Sequence, residues 1–336
     1  MKGLASGWDI GGVHLKQVRL LDTEAGTRLD WRLRPFEIWR EPSRLAGELA
    51  RMEPAGPLAV TLTAELSDAF TDRSAGVRAI LDAVAAARGD DTFSVLHAEG
   101  RLVSSADARK TPLAVASANW IAPATVAARR LPEGLVVDVG STTTDVVPFS
   151  GGRPKPEGRT DRERLSSGEL VYSGVLRTPP AALAETVPLS GGSCRTIPEH
   201  FTQMADAYLL LGLLREEEYT VTTPDGRGRG RAECAARLGR LVGADPGDVV
   251  DAALVEIARF LMDRQVDRIA AAVRAVAPAA GCPVVVCGAG RFLAAEAARR
   301  AGMPSLPIED LLPGYGPGWG TAAPAAALAL LAAAVA

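Results

Sequence analysis

The sequence predicts an α/β fold with two related lobes that face one another across a cleft. Two stretches of the chain, residues 7–20 and residues 134–148, follow one plan: an apolar strand, an aspartate, a turn of small residues and a second strand. They start about 130 residues apart, which is roughly the length of one domain. A third stretch, residues 283–292, is a buried strand that runs into a glycine turn and then a helix. The repeated plan predicts two lobes of the same kind.

The length and composition of the chain agree with two domains. The chain has 336 residues, of which 47% are hydrophobic and 23% are charged, so it can bury a full core. We expect residues 1–130 to form the N-terminal lobe and residues 131–320 to form the second lobe. The apolar tail, residues 321–336, is too short to span a bilayer, and we expect it to be a helix that packs back on the N-terminal lobe.

The charge and cysteine content disfavour several classes of partner. A formal charge of −3 and a pI near 5.8 argue against a nucleic acid or an anionic membrane as the main partner, because both require a basic surface. Four cysteines without a C-x-x-C pair, and no expected secretory signal, favour the cytoplasm. Three scattered histidines do not suit a histidine-rich zinc site. We expect small-molecule ligands, and a homo-oligomer stays an open alternative.

The first turn, within residues 7–20, has the composition of a phosphate-binding loop. Gly11 and Gly12 leave room for a ligand close to the backbone, and Lys16 supplies a cation for a diphosphate. Asp9, at the end of the preceding strand, is a candidate metal ligand. The alternative interpretation is an exposed hairpin with a surface lysine. The recurrence of the pattern later in the chain favours the phosphate loop.

The second turn carries one glycine and three hydroxyl residues: Gly140, Ser141, Thr142 and Thr143. The glycine lets the backbone approach a ligand, and the hydroxyls add hydrogen-bond donors beside exposed N–H groups. The flanking carboxylates of Asp138 and Asp145 cannot touch a phosphate unless a cation lies between. We therefore expect a phosphate together with Mg²⁺, with Asp9 and Asp138 as the metal ligands.

Polar residues elsewhere are further candidates for substrate contact. Glu65 and Asp68 follow a buried strand at its carboxyl end, where open α/β sheets bind ligands, although they also suit a helix cap. Asn119 and Trp120 can form a polar and aromatic wall of the cleft. A tryptophan at a helix start is also typical of simple core packing, so that interpretation stays open.

Three charged residues and two glycines complete the candidate site. Asp161, Glu169 and Arg177 lie near glycine or proline residues, and ordinary surface ion pairs are the alternative for all three. Gly288 and Gly290 precede a predicted helix, whose first N–H groups can hold a further phosphate or the edge of a ligand ring. The Gly-x-Gly-x-x-Gly spacing is missing, which disfavours dinucleotide binding.

Together, the two aspartate loops and the late Val-Val-x-Cys-Gly-Ala-Gly turn resemble the acetate and sugar kinase, heat-shock ATPase and actin (ASKHA) superfamily. The loops Asp9–Lys16 and Asp138–Asp145 are most similar to those of its hydantoinase A/oxoprolinase-like branch. Four segments extend the resemblance to the tetrahydromethanopterin-linked one-carbon pathway proteins: residues 62–70, 118–120, 167–179 and 199–206. The resemblance implies a two-lobed, actin-like ATPase fold with ribonuclease H-like lobes.

The same resemblance implies an activity. Archaeal members of that group make methanofuran, so we expect this role here, or the corresponding role in methylofuran synthesis. They join a furan-methanol diphosphate that carries an aminomethyl group to the phenol oxygen of γ-glutamyltyramine and release diphosphate. The superfamily's ATP-binding loops would then bind a different diphosphate ester. The sequence departs from the group at His14, where relatives often carry Asn, and at Ala64, where Gly is usual.

The chemistry of this reaction assigns roles to the candidate residues. Lys16 and Mg²⁺ would neutralise the leaving diphosphate. A phenol has a pKa of about 10, so its full ionisation at neutral pH costs roughly 4 kcal/mol, which a nearby carboxylate would reduce. The candidates for this base are Glu65, Asp145, Asp161 and Glu169. The alternatives are an ATP-dependent small-molecule kinase or a hydantoinase-like amidohydrolase, with ATP or ADP as ligands, and a non-catalytic nucleotide-binding regulator.

Overall fold

The N-terminal part of the chain builds a six-stranded sheet, seen in a computed structural model that describes residues 2–335. Its strands are β1 (Lys2–Ile10), β2 (His14–Thr23), β3 (Gly26–Pro35), β4 (Leu58–Leu62), β5 (Phe93–Leu96) and β6 (Leu102–Ser104), and its helices are α1 (Leu45–Ala50), α2 (Arg73–Arg88), α3 (Ser105–Lys110) and α4 (Ile121–Ala128). The strand order is β3-β2-β1-β4-β5-β6. Strands β1 to β3 are antiparallel, whereas β4 is parallel to β1 and β5 to β4, so the carboxyl ends of β1, β4 and β5 lie at one edge.

The rest of the chain builds a second sheet. Its strands are β7 (Glu133–Val139), β8 (Thr144–Ser150), β9 (Arg153–Pro154), β10 (Leu170–Val171), β13 (Val284–Cys287) and β14 (Ser305–Pro307), while β11 (Thr186–Leu189) and β12 (Gly192–Arg195) form a separate hairpin. The helices are α5 (Asp161–Ser167), α6 (Met204–Leu210), α7 (Arg231–Arg240), α8 (Asp251–Val276), α9 (Arg291–Arg300) and α10 (Ala323–Val335). The strand order is β10-β8-β7-β13-β14, with β9 paired to β8.

The two sheets repeat one topology. In spatial order, each sheet has three antiparallel strands followed by two strands that run parallel to the third. The order is β3-β2-β1-β4-β5 in one sheet and β10-β8-β7-β13-β14 in the other. The central strands are buried along most of their length because both faces of each sheet are covered. This repeat confirms the predicted two-lobed α/β fold, which is the fold class of the ASKHA superfamily.

Helices α4 and α10 lie between the two sheets and share a core with both. Helix α10 packs directly on β1 at Gly7, where an added Cβ would lie 2.0 Å from the carbonyl oxygen of Ala325. A glycine is therefore required for the close approach of helix and strand. The helix expected over residues 321–336 is observed over Ala323–Val335, and Ala336 lies outside the described residues. Among residues 2–335, no helix combines the length and apolar character needed to cross a bilayer.

Candidate active site

A cleft of about 450 Å³ lies where β1 and β7 end and both hairpin loops begin. Its walls include most of the residues predicted from the sequence: Asp9, Gly11, Gly12, Lys16, Asp68, Asn119, Trp120, Asp138, Gly140, Ser141, Thr142, Thr143, Asp145, Asp161 and Arg177. Four predicted residues do not line it: Glu65, Glu169, Gly288 and Gly290. The fold thus brings the two predicted phosphate loops, one from each sheet, to a single cavity.

The first loop joins β1 to β2 and is flanked by an ion pair between buried Asp9 and partly exposed Lys16. Asp9 lies opposite Lys16 in the strand register, and Lys16 Nζ donates a hydrogen bond of 2.9 Å to Asp9 Oδ2. Burial acts to lower the pKa of Lys16, but the carboxylates of Asp9 and Asp138 outweigh burial and raise that pKa above its ordinary value. The ammonium group is therefore charged and lies between carboxylates of both lobes. Asp9 Oδ1 is buried and has no hydrogen-bond partner among the described residues.

The second loop joins β7 to β8 and places two carboxylates opposite one another. Asp138 faces Asp145 in the register, and Gly140 N donates to Thr143 O at 2.9 Å to close the turn. Burial raises the pKa of Asp138 to about 7, with Lys16 opposing the shift and Asp145 and Asp9 adding to it. Two buried carboxylates in such proximity call for a cation.

The segment after β10 supports the second loop through its backbone. The amide of Val175 donates to Gly140 O at 2.9 Å, and the amide of Arg177 donates to Ser141 O at 2.9 Å. An added Cβ at Gly174 would lie 2.5 Å from the amide nitrogen of Thr142, so only glycine fits there. Sequence reasoning missed Gly174, although a glycine between Ser173 and Val175 was the available signal.

Arg164 lines the cleft, and sequence reasoning also missed it. It is 1% exposed, and its guanidinium donates to Asp145 Oδ1 at 2.8 Å. The same group lies 4.1 Å from the centre of the Trp120 ring. Burial raises the pKa of Asp145 above its ordinary value, and Arg164 opposes that shift. Because Arg164 forms the ion pair with Asp145, the positive charge of Lys16 mainly balances the carboxylates of Asp9 and Asp138.

Arg177 offers the cleft a cation besides Lys16 and Arg164. Its guanidinium lies 4.8 Å from the centre of the Trp39 ring. No carboxylate within residues 2–335 forms an ion pair with it, so its charge is available to an anionic ligand.

His14 links the two loops across the cleft. Its Nδ1 lies 3.3 Å from Ser141 Oγ, and its Nε2 lies 2.6 Å from Thr220 Oγ1. Burial, with Lys16 and Arg177 nearby, lowers the pKa of His14 to about 3. The imidazole is therefore neutral at physiological pH and acts as a hydrogen-bonding bridge.

The chain resembles one protein family over most of its length: the family model described as Hydantoinase/oxoprolinase matches residues 58–334. The chain belongs to this family. A relative from Methanocaldococcus jannaschii, named (4-{4-[2-(gamma-L-glutamylamino)ethyl]phenoxymethyl}furan-2-yl)methanamine synthase, is 32% identical over 300 residues, which cover 88% of this chain and 89% of the relative. The resemblance to the hydantoinase A/oxoprolinase-like branch is confirmed.

Two more proteins show the range of similarity. A protein of the same name from Methanococcus vannielii is 29% identical over 164 residues, which cover 48% of this chain and 73% of that protein. The solved structure of a ROK family glucokinase from Streptomyces griseus is 13% identical, with 98% of this chain and 99% of that chain covered and a TM-score of 0.45.

In this member of the hydantoinase/oxoprolinase family, the predicted role of Glu169 as a base is corrected. Its carboxylate accepts hydrogen bonds from the amides of Glu157 at 2.6 Å and Gly158 at 2.9 Å, and from Ser167 Oγ at 3.0 Å. Glu169 therefore anchors the loop before α5, and its oxygens are committed to that loop rather than to the cleft.

The predicted phosphate contacts of Gly288 and Gly290 are corrected as well. An added Cβ at Gly288 would lie 2.3 Å from Asp138 Oδ1, and one at Gly290 would lie 2.5 Å from a methyl group of Val139. Both glycines are needed because the turn after β13 packs tightly against the end of β7. They support the second loop from behind and do not face a ligand.

The cleft of this hydantoinase/oxoprolinase family member has oxygen donors that suit Mg²⁺. Asp9 Oδ1 is buried and unpaired, and Asp138 is 7% exposed beside it on the cleft wall. Among residues 2–335, no group of three or more His, Cys, Asp or Glu side chains is arranged as a complete metal site. Mg²⁺ usually takes one or two carboxylates and completes its shell with water and substrate phosphates, so this donor set fits it.

Proposed function

We propose that this protein is a Mg²⁺-dependent transferase of methanofuran or methylofuran biosynthesis. It would condense an aminomethyl-furanmethanol diphosphate with the phenol of γ-glutamyltyramine, or of a tyrosine-type analogue, to give an aryl ether and diphosphate. One observation carries the proposal: two aspartate loops, three cationic side chains and a row of hydroxyl groups converge on one cleft. The name of the Methanocaldococcus jannaschii relative, which covers most of the chain, supports the same reaction. Its partners would be small molecules, and its location the cytoplasm.

The polar side chains of the cleft suit the diphosphate. Lys16 and Arg177 supply positive charge, and the loop of Gly140 to Thr143 supplies N–H and hydroxyl donors. Asp9 and Asp138 would hold Mg²⁺, which neutralises charge on a leaving diphosphate when bound. These groups would stabilise the charge that develops as the carbon–oxygen bond of the diphosphate ester breaks.

Other side chains of the cleft suit the aromatic groups. Apolar and aromatic residues line it beside the polar ones, among them Trp39, Leu66, Trp120, Leu170 and Tyr172. Two of them are unusually exposed for their type, Leu66 at 53% and Tyr172 at 58%. Exposed apolar side chains at a cleft mouth are typical of ligand-binding surfaces. A furan ring and a phenol ring would cover them.

The order of bond changes follows from the substrate. A furan ring delocalises positive charge at its methylene carbon, so the carbon–oxygen bond to diphosphate can break early. The phenol oxygen then attacks that carbon and loses its proton. Water must be kept away from the methylene carbon, and the aromatic side chains of the cleft would serve this purpose.

A reconstitution experiment tests the proposal. The purified protein is incubated with Mg²⁺, the furan diphosphate and γ-glutamyltyramine, and the aryl ether and diphosphate are measured. We expect both products in equal amounts and no reaction without Mg²⁺. ATP turnover without ether formation would support the kinase or the hydantoinase-like amidohydrolase instead. Tight nucleotide binding without any reaction would support the regulator.

A further inference from the structure

Four polar side chains from both lobes form a cluster at the wall of the cleft. Ser117 Oγ lies 2.6 Å from Glu65 Oε1 and 3.3 Å from Asp161 Oδ2. Arg73 Nη2 lies 3.1 Å from Glu65 Oε1, 3.1 Å from Ser117 Oγ and 3.2 Å from Asp161 Oδ2. Ser117 and Asp161 line the cleft, whereas the Glu65 side chain is fully buried behind them. Glu65 can therefore reach a substrate only through Ser117.

The backbone at Ser117 is strained in a way that places its hydroxyl. Ser117 has φ of 46°, and within the described part of the chain Ser190, at 51°, is the other residue besides glycine with positive φ. A residue with a Cβ loses stability in this conformation, and such strain is concentrated at functional sites. Glycine would remove the strain but also the hydroxyl. The strained serine thus keeps an oxygen between Glu65 and the cleft.

Helix α2 brings the rest of the cluster into place. An added Cβ at Gly76 would lie 2.6 Å from Glu65 O, so this glycine lets the helix pack directly on the backbone at Glu65. The first turn of the helix then places Arg73 between Glu65 and Asp161. The cluster is built from four separate chain segments.

We infer that Ser117 and Glu65 form a proton relay that takes the proton of the acceptor phenol. This inference rests on the proposed function. In the step, the carbon–oxygen bond of the diphosphate ester breaks and diphosphate leaves with the electron pair. The phenol oxygen bonds to the furan methylene carbon, its proton passes to Ser117 Oγ, and the hydroxyl proton of Ser117 passes to Glu65 Oε1. Ser117 is the catalytic residue of the pair, and Glu65 acts through it.

The geometry selects Glu65 rather than Asp161 as the end of the relay. The hydroxyl of Ser117 has one proton to donate, and the shorter distance, 2.6 Å, is to Glu65. Glu65 Oε2 is buried with no hydrogen-bond partner in residues 2–335, so the neutral acid is easier to accommodate than the carboxylate. Burial also raises the pKa of Glu65, against the opposing effects of Ser117 and Arg73, and brings it towards that of a phenol. Arg73 keeps Asp161 as an ionic partner when Glu65 is protonated.

Two variants and a matched control test the relay. Ser117→Gly removes the hydroxyl and tolerates positive φ, and Glu65→Gln keeps the shape of the buried side chain but cannot accept a proton. Ser190→Gly is the control, because it relieves the same kind of strain at an exposed turn between β11 and β12. Thermal melting shows whether each variant folds. Each protein is assayed with γ-glutamyltyramine and with an analogue fluorinated on both carbons next to the phenol oxygen, which lowers the phenol pKa.

We expect kcat with γ-glutamyltyramine to fall about 100-fold or more in Ser117→Gly and Glu65→Gln, as for loss of a general base. With the fluorinated acceptor, which needs less help to lose its proton, the loss should shrink to about tenfold or less. Ser190→Gly should match the wild-type protein with both acceptors. An equal loss with both acceptors, or no loss, overturns the relay. A wild-type protein that forms no ether with either acceptor overturns the proposed function, and the relay with it.

Discussion

The two hairpins of the cleft have the same geometry but opposite charges at one position. In each, an aspartate is the last residue but one of the first strand and faces one residue of the second strand, with the same number of residues between them. In the first hairpin Asp9 faces Lys16, and in the second Asp138 faces Asp145. The first hairpin is therefore neutral within itself, whereas the second needs cations from elsewhere.

The cations of the second hairpin come from two sources. Asp145 is neutralised by Arg164 of α5, at 2.8 Å. Among residues 2–335, no cation of its own lobe forms an ion pair with Asp138. Lys16 of the other lobe opposes the rise of the Asp138 pKa, as does a hydrogen bond with Cys287. The second hairpin has an aspartate where the first has a lysine. The charge of Asp138 is therefore balanced by Lys16 of the first hairpin. A bound metal ion would satisfy the same need, so the asymmetry suits a site that assembles around Mg²⁺.

The largest loss of stability and activity is expected when Lys16 is replaced by aspartate, which gives the first hairpin the same pair of charges as the second. Lys16→Asp places a carboxylate opposite buried Asp9. Removing one partner of a fully buried ion pair costs about 3–5 kcal/mol, and because the Lys16 side chain is 21% exposed, about 2–3 kcal/mol is expected here. We expect the free energy of unfolding in guanidinium chloride to fall by that order, and ether formation to be lost. Lys155→Asp, at an exposed position, is the control and should change little. An unchanged unfolding midpoint for Lys16→Asp would mean that the pair with Asp9 does not stabilise the hairpin.

The second largest effect is expected in catalysis rather than in stability. Asp138→Asn removes a carboxylate from the proposed Mg²⁺ site, and we expect diphosphate release to fall about 10²- to 10³-fold. The stability should stay the same or rise, because the substitution removes a like charge facing Asp145. Asp22→Asn, at an exposed position of β2, is the control. Full activity of Asp138→Asn at low Mg²⁺ would remove Asp138 from the metal site.

Substitution of Arg177, in the segment after β10, tests whether its positive charge contributes to diphosphate binding. Arg177→Met keeps apolar contact with Trp39 but removes the cation, so we expect about a 10- to 100-fold lower kcat/KM for the furan diphosphate. Inhibition by free diphosphate should weaken by a similar factor. The nearby Arg40→Met, at an exposed residue paired with Glu37, should leave both values unchanged. Equal inhibition of wild type and Arg177→Met by diphosphate would contradict a phosphate role for Arg177.

The hairpins were predictable from sequence because their determinants are local. An aspartate, small residues and a second strand lie within one short stretch, and the stretch occurs twice, so Asp9, Lys16, Asp138 and the hydroxyl turn could be placed together. The register of a short hairpin then fixes which residues face one another.

The supporting residues could not be predicted because their partners are distant in sequence. Ser117 meets Glu65 across 52 positions, and Arg164 meets Asp145 across 19. Glu169 was predicted as a base because it is an acid near a glycine, yet its direction is set by the loop amides that it anchors. Local patterns identify where a ligand binds, whereas the charge balance around it depends on tertiary contacts.

The smallest expected effect concerns His14, the hydrogen-bonded link between the hairpins. His14→Gln keeps a donor and an acceptor, so at pH 8 it should cost about 1 kcal/mol of stability. Since burial holds the pKa of His14 at about 3, below its ordinary 6.5, the unfolded chain binds a proton that the folded protein does not between these values. The wild-type protein therefore loses stability as the pH falls below 6.5, by roughly 2 kcal/mol at pH 5, and the glutamine variant escapes this loss. In unfolding curves, the wild-type protein should therefore be the more stable of the two at pH 8 and the glutamine variant the more stable at pH 5. Equal losses of stability in both proteins between pH 8 and pH 5 would show that His14 is protonated in the folded state.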